Sequence, residues 1–161
     1  MKILVPIDDS AFSKAAVESV IKQFRPDDTQ VYVLHVVETL NLAPVYVGMG
    51  VGPSVPADFA GTIEQWLDKA EQLVAQSAKR LESAGFRVAT SVKEGEAKKE
   101  ILEFAEQWQP DLVVVGSHGR RGFDRLLLGS VSEAVARHAH CSVQIVRPAA
   151  PHAAGSEKEV V

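Results

Sequence analysis

The sequence contains a single cysteine, Cys141, among 161 residues. One thiol cannot form an intramolecular disulfide, so a hydrophobic core must hold the fold, and a reducing compartment is the natural setting. A chain of this length is long enough to bury roughly two thirds of its unfolded surface as one domain. Because a lone cysteine in an apolar context is usually buried and inert, we assign Cys141 no reactive role.

Long apolar runs and an excess of positive charge are also missing. No stretch approaches the ~20 apolar residues of a membrane-spanning helix. The N-terminal apolar run meets Asp8 and Asp9 too early to be the core of a signal peptide. The net charge of −4 suggests no general affinity for nucleic acid or an anionic membrane. These absences predict a cytoplasmic protein without a nucleic-acid or membrane partner.

Short apolar runs alternate with helical patterns along most of the chain. Strands are predicted at Lys2 to Ile7, Thr29 to Val37, Phe86 to Val92, Leu112 to Val115 and Ser142 to Val146. This alternation predicts an α/β fold: one open, twisted, parallel five-stranded sheet with right-handed crossovers and helices on both faces. The first and fourth strands are the most continuously apolar and should be central, which predicts the order 3-2-1-4-5.

Local signals place several boundaries of these elements. Ser10 is a good N-cap for the first helix, which Pro26 cannot continue. A long amphipathic stripe runs from Ile63 to Leu81, with Gly85 as its C-terminal stop. Pro6 removes a backbone donor from the first strand, so we place it where the chain leaves the sheet.

Two segments differ from the rest of the predicted domain, which spans residues 1–148. Residues 39–62 are rich in proline and glycine and predict a mobile insertion, with a lid or a subunit contact as the alternative. Residues 149–161 are small and polar and predict a disordered tail.

The most informative stretch follows the fourth strand, where glycines and arginines precede a helix. Gly116 and Gly119 allow the backbone to approach a ligand, and Arg120 supplies positive charge beside it. Gly129 and Ser130 then open a helix, whose free N–H groups would face the same space. The combination indicates a phosphate-binding site.

Structural alternatives exist for each of these residues. Glycines after a strand are ordinary turn residues, and for Ser130 alone a capping box with Glu133 is the favoured interpretation. A triad of Ser117, His118 and Asp124 is disfavoured, because these are loop neighbours without an oxyanion hole. No GxxxxGK[ST] motif supports a P-loop ATPase.

The predicted strand order brings two loops together at its switch point. Open α/β sheets bind ligands where the connections reverse direction, here between the first and fourth strands. The segment Pro6-Ile7-Asp8 should therefore lie beside Gly116-Ser117-His118. Asp8 is either a solvated turn residue or a ligand of a ribose hydroxyl or of a phosphate-bound cation. His35 fits a satisfied core residue better than a ligand, and His138-x-His140 lacks a third ligand for a metal site.

The spacing Gly116-x-x-Gly119, nine residues, Gly129-Ser130 resembles the nucleotide-binding signature of the universal stress protein family. The resemblance extends from Lys2 to Arg147 and implies the adenine nucleotide alpha hydrolase-like fold. It implies nucleotide contacts at Pro6, Asp8, Val36, Val115, Gly116, Gly119, Gly129, Ser130, Val131 and Ser132, with Val36 against the adenine. To these we add Ile7, His118 and Arg120 from their places in the two loops.

The resemblance also implies what the protein does. It suggests a non-catalytic regulator in stress adaptation that binds ATP or another adenine nucleotide such as AMP, together with Mg2+ on the phosphates, for which Asp8 is the candidate ligand. A slow ATP hydrolase or phosphotransferase and a nucleotide-independent interaction protein are the alternatives. It further implies a homodimer through the last strand, Ser142 to Val146, whose edge has unpaired backbone groups.

Overall fold

The computed structural model describes residues 1–38, 57–119 and 128–148, with the backbone alone for 57–64. The elements in chain order are β1 (Lys2–Ile7), α1 (Ala11–Gln23), β2 (Gln30–Val37), α2 (Ala57–Ser83), β3 (Arg87–Glu94), α3 (Ala97–Trp108), β4 (Leu112–Gly116), α4 (Ser130–His138) and β5 (Ser142–Val146). The predicted α/β class is confirmed. In the described ranges no helix is long and apolar enough to cross a membrane.

The five strands form one parallel sheet in the order β3-β2-β1-β4-β5. This is the predicted order, with the continuously apolar β1 and β4 inside and β3 and β5 at the edges. The register between β1 and β4 covers only Ile3↔Leu112 and Leu4↔Val113. The two central strands therefore lose their pairing toward their carboxyl ends, which opens the sheet there.

Pro6 lies at this opening. It is the next-to-last residue of β1, in register with Leu34 of β2 and close to the predicted exit of the strand. The paired register with β4 has already ended at Leu4, so the missing N–H of Pro6 interrupts no bond of that ladder. A proline is tolerated in a central strand here because its partner strand has moved away.

Each face of the sheet carries its own hydrophobic core. One core joins β-strand residues such as Val5 and Val33 to α1 and α2, and the other joins Leu4 and Leu34 to α3 and α4. The sheet therefore has helices on both faces, as predicted. In α2 the buried positions are Ala70, Val74, Ala78 and Leu81, which confirms that its stripe faces the core.

The residues predicted to begin and end helices lie at the helix ends in the structure. Ser10 caps α1, and its Oγ accepts a hydrogen bond from Ser13 N–H at 3.2 Å. Gly85 follows α2 with a φ of +93°, a conformation that costs glycine little. The start of α2 differs from the expectation: it begins at Ala57 rather than at Ile63, inside the segment predicted as an insertion.

Some predictions concern residues outside the described ranges. They include most of the predicted insertion, 39–56, and the predicted tail, 149–161. Arg120 and Asp124 also lie outside, in 120–127.

Candidate functional site

A cavity of about 440 Å³ opens at the carboxyl ends of β1, β2 and β4. Its volume falls within the usual range for small-molecule sites. The lining residues are Pro6, Ile7, Asp8, Ser13, Leu34, His35, Val36, Glu38, Ala97, Ile101, Val115, Gly116, His118, Gly119, Leu128, Gly129, Ser130, Val131 and Ser132. Every predicted site residue within the described ranges thus lies around one cavity; Arg120 is outside those ranges.

The Asp8 carboxylate forms part of one wall and is held by the first turn of α1. Its Oδ1 accepts hydrogen bonds from the Ser10 N–H at 3.1 Å and from the Ser13 hydroxyl at 2.6 Å. The Asp8 N–H donates in turn to Ser13 Oγ at 2.9 Å. These bonds orient the carboxylate, so that Oδ2 faces the loop that begins directly after β4, which we call the glycine loop.

The glycine loop passes close to this carboxylate at Gly119. A Cβ placed on Gly119 would lie 2.7 Å from Asp8 Oδ2, well inside van der Waals contact. The acidic loop after β1 and the glycine loop after β4 therefore meet, as the predicted switch point required. Only a residue without a side chain leaves the space between them open.

Ser117 and Ser132 tie the glycine loop to the start of α4. The buried Ser117 carbonyl accepts hydrogen bonds from Gly129 N–H at 2.8 Å and from Ser132 Oγ at 2.9 Å. Ser132 Oγ also lies 2.8 Å from the Gly129 carbonyl oxygen. The Ser132 hydroxyl thus points into the protein and positions the two loops, while its backbone remains at the cavity.

We expect Ser132→Ala to lower the free energy of unfolding by about 1 to 2 kcal/mol, because a buried hydrogen-bonded hydroxyl is lost. Urea unfolding of both proteins measures the difference. Ser130→Ala is the matched control: Ser130 is exposed, and its replacement should change stability by less than about 0.5 kcal/mol. Equal stability of the two variants would contradict the positioning role of Ser132.

The start of α4 corrects the capping interpretation of Ser130. The N-cap is Gly129, so Ser130 is the first helical residue and its exposed hydroxyl borders the cavity. Glu133 does not return to cap the helix: its N–H donates to the Gly129 carbonyl, and its carboxylate pairs with Arg137 at 2.9 Å. The first N–H groups of α4 have no acceptor within the helix and lie at the cavity, where they suit an anion.

His118 and Ser117 do not form a nucleophilic site. Ser117 is fully buried, and its Oγ lies 3.1 Å from Nδ1 of the neighbouring His118 ring. That ring packs against Phe12 at a centroid distance of 5.1 Å, and its Nε2 is buried with no hydrogen-bond partner among the described residues. A serine with no access to solvent cannot attack a substrate, which argues against the triad.

His35 is a hydrogen-bonded residue at the base of the cavity. Its Nδ1 lies 2.7 Å from the Ile7 carbonyl oxygen, so Nδ1 carries a proton and donates it. The ring is 8% exposed. This agrees with the interpretation of His35 as a satisfied core residue.

Several lining residues were not predicted as site residues. They are Ser13, Leu34, His35, Glu38, Ala97, Ile101 and Leu128. Ala97 and Ile101 belong to the apolar stripe of α3 that packs on the sheet. The local sequence does not distinguish a residue in the core from a residue in the cavity wall. Glu38 could have been predicted from the sequence, because it directly follows β2 and the carboxyl ends of parallel strands meet at one edge of the sheet.

Cys141 lies outside the cavity, half-buried beside the core under α3 and α4. Burial raises the pKa of its thiol, with a smaller contribution from the Asp111 carboxylate. A raised pKa leaves less thiolate at neutral pH, which agrees with an unreactive cysteine.

Sequence comparisons link residues 1–147 to one family. That range matches the model of the universal stress protein family. Among curated relatives, universal stress protein A homolog 2 of Coxiella burnetii is 36% identical over 91% of this chain and 94% of the relative. Universal stress protein MJ0531 of Methanocaldococcus jannaschii is 34% identical over 91% of this chain and 81% of the relative.

Comparison with solved structures gives the same fold. Protein MJ0577 of Methanocaldococcus jannaschii superposes with a TM-score of 0.75 at 28% identity, covering 92% of this chain and 97% of that one. UspA of Lactobacillus plantarum superposes with a TM-score of 0.65 at 25% identity, covering 91% and 97%. The open parallel sheet and its helices are thus shared over nearly the whole length.

Proposed function

The chain belongs to the universal stress protein family, and from this premise we propose that it binds ATP or another adenine nucleotide and acts as a nucleotide-responsive regulator in stress adaptation. The observation that carries the proposal is the cavity at the switch point. Gly119 and the start of α4 line one end of this cavity, and Val36 and Ile101 line the part between β2 and α3.

The end lined by Gly119 and the start of α4 suits phosphate groups. Gly119 has no side chain to fill the gap between its backbone and Asp8 Oδ2, and the N–H groups of Ser130 and Val131 begin a helix with its positive dipole end toward the cavity. Asp8 stands beside them. One carboxylate together with phosphate oxygens is a common way of holding Mg2+, so Asp8 is our candidate for that ion or for a ribose hydroxyl.

The part between β2 and α3 suits a flat base. Val36 is 6% exposed at the end of β2, and Ile101 is 4% exposed on the facing α3. Structural neighbours lend support to an adenine nucleotide: a universal stress family protein of Arabidopsis thaliana was solved with AMP bound, and one of Archaeoglobus fulgidus with dAMP. A third was solved with cAMP.

A binding function is favoured over catalysis because the described residues offer no good activator of water. His118 Nε2 is buried under Phe12, and Asp8 Oδ1 is already engaged by Ser10 and Ser13. Hydrolysis, if present, should therefore be slow. We further propose a cytoplasmic homodimer that pairs through β5, because among the described residues β4 is the only strand next to β5.

Mass spectrometry of the protein purified without added nucleotide tests the proposal. We expect a co-purifying adenine nucleotide and, after incubation with Mg-ATP, recovery of ATP unchanged. Asp8→Asn keeps the oxygen that Ser10 and Ser13 bind but removes the charge. We expect this variant to stay folded and to bind Mg-ATP about tenfold more weakly, the equivalent of about 1.4 kcal/mol.

Other outcomes would replace the proposed function. Steady conversion of ATP to ADP that is lost in Asp8→Asn would identify a slow ATP hydrolase. Absence of any bound nucleotide, together with no heat of binding in calorimetric titrations, would leave a nucleotide-independent interaction protein.

A further inference from the structure

Glu38 is the only acidic residue besides Asp8 among the residues that line the cavity in the described ranges. It directly follows β2, two residues after Val36, and side chains two apart along an extended chain point to the same face. Val36 belongs to the core on the α3 side of the sheet. The Glu38 carboxylate is therefore placed at the part of the cavity between β2 and α3, beyond Val36.

Within the part of the chain that the structure describes, Glu38 forms no ion pair. Lys93, on the adjacent β3, pairs instead with Glu100 at 3.5 Å and lies over the Phe104 ring. A half-exposed carboxylate that pairs with no described cation at a cavity wall is able to accept hydrogen bonds from a ligand.

The two ends of the cavity consequently have opposite polarity. The start of α4 and the glycine loop present N–H donors, whereas the end near Glu38 presents an acceptor. A nucleotide whose phosphates bind the donors must extend its base toward β2 and α3. The group at the end of that base then meets the Glu38 carboxylate.

We infer that Glu38 selects the base of the bound nucleotide, favouring purines with a 6-amino group over those with a 6-oxo group. This inference rests on the proposed nucleotide-binding function. The amino group of adenine donates hydrogen bonds, and a carboxylate can only accept them. The 6-oxo group of hypoxanthine or guanine is an acceptor. Its oxygen would face a carboxylate oxygen with no proton between them, and the two oxygens would repel each other.

Calorimetric titration of the full chain with AMP and with IMP tests the inference, because both carry the same ribose phosphate and differ only at one edge of the base, in the 6-substituent and in the proton on N1 of IMP. A hydrogen bond to a charged group changes affinity by on the order of tenfold or more. We expect the wild type to bind AMP at least about tenfold more tightly than IMP. In Glu38→Gln the amide can donate to the 6-oxo group, and the ratio should fall to within about threefold.

Glu94→Gln is the matched control. It removes the same charge from the end of β3, in register with Val37, but Glu94 does not line the cavity. The control should keep the wild-type AMP:IMP ratio. A fall of the ratio in both variants would show a general effect of negative charge and overturn the role of Glu38.

The remaining outcomes separate the inference from the function on which it rests. If the wild type binds AMP and Glu38→Gln keeps the full preference over IMP, the inference is wrong and nucleotide binding stands. If Glu38→Gln instead changes only the ratio of AMP to dAMP, the carboxylate binds the ribose and the inference is again wrong. If the wild type binds neither AMP nor IMP, both the function and the inference fail.

Discussion

Replacing Gly119 with valine is expected to abolish nucleotide binding while the protein remains folded. The new Cβ would lie 2.7 Å from Asp8 Oδ2, and the rest of the side chain would occupy the space in front of the loop backbone. Valine therefore displaces the carboxylate and blocks the approach of a phosphate at once. We expect affinity to fall by on the order of 100-fold, which corresponds to about 2.8 kcal/mol.

The fold should tolerate this change because the atom in the way is the end of a side chain. Asp8 can rotate, and Gly119 is only half-buried. Far-ultraviolet circular dichroism and urea unfolding would check the fold, and calorimetric titration with ATP would check binding. Gly119→Ala, with a smaller side chain, should weaken binding by less. A folded Gly119→Val protein with unchanged affinity would show that the nucleotide does not bind at this loop.

Replacing Gly116 should strongly lower the stability of the fold, whereas replacing Gly119 should mainly weaken nucleotide binding. A Cβ on Gly116 would lie 2.8 Å from both the backbone carbonyl carbon and the Cβ of Phe12, at the start of α1. Here the neighbour is the helix backbone, which cannot move without shifting α1 against the sheet. We expect Gly116→Ala to lower the free energy of unfolding by about 3 kcal/mol, the upper part of the usual range for overpacking.

Gly129→Ala provides the graded comparison for Gly116→Ala. Its Cβ would lie 3.1 Å from His118 Cα and 3.3 Å from the Ser117 carbonyl oxygen, a milder overlap. Urea unfolding should therefore rank the alanine variants with Gly116 most destabilised, Gly129 next and Gly119 least. If Gly116→Ala were as stable as the wild type, α1 would not pack on β4 as closely as the structure places it.

The three signature glycines thus have different physical roles despite their shared motif. Gly116 allows α1 to dock on the end of β4, and Gly129 allows the loop after β4 to approach the start of α4. Gly119 keeps open the space between the loop and Asp8. Sequence spacing identified all three together, because a motif records which positions lack a side chain but not which neighbour requires it.

Errors in the sequence-based predictions occurred where a local signal had two possible uses. Ser130 and Glu133 have the spacing of a capping box, yet the helix begins one residue earlier and Gly129 is the cap. No sequence signal predicted where the Ser132 hydroxyl points: Ser132 lines the cavity, and its hydroxyl bonds carbonyl groups inside the protein. The helix α2 extends toward the N-terminus to Ala57, before the apolar stripe starts at Ile63.

The amino-acid sequence by itself determined the elements, their order in the sheet and the loops that meet at the switch point. These follow from local properties: apolar runs without alternation favour central parallel strands, and glycine, proline and serine mark where elements begin and end. The carboxyl ends of β1 and β4 had to meet once β1 and β4 were neighbours. Hence the sequence alone placed Pro6-Ile7-Asp8 beside Gly116-Ser117-His118.

Only the tertiary structure decided which side chains face the cavity and which hold its walls. The roles of Gly116 and Ser132 depend on distances between segments far apart in the chain, as between Ser132 and Ser117 or between Gly116 and Phe12. The place of Glu38 likewise depends on how α3 stands over β2. Sequence periodicity shows which face a residue occupies, but the partner on that face is set by the docking of separate elements, in which a shift of about 1 Å separates a contact from a clash.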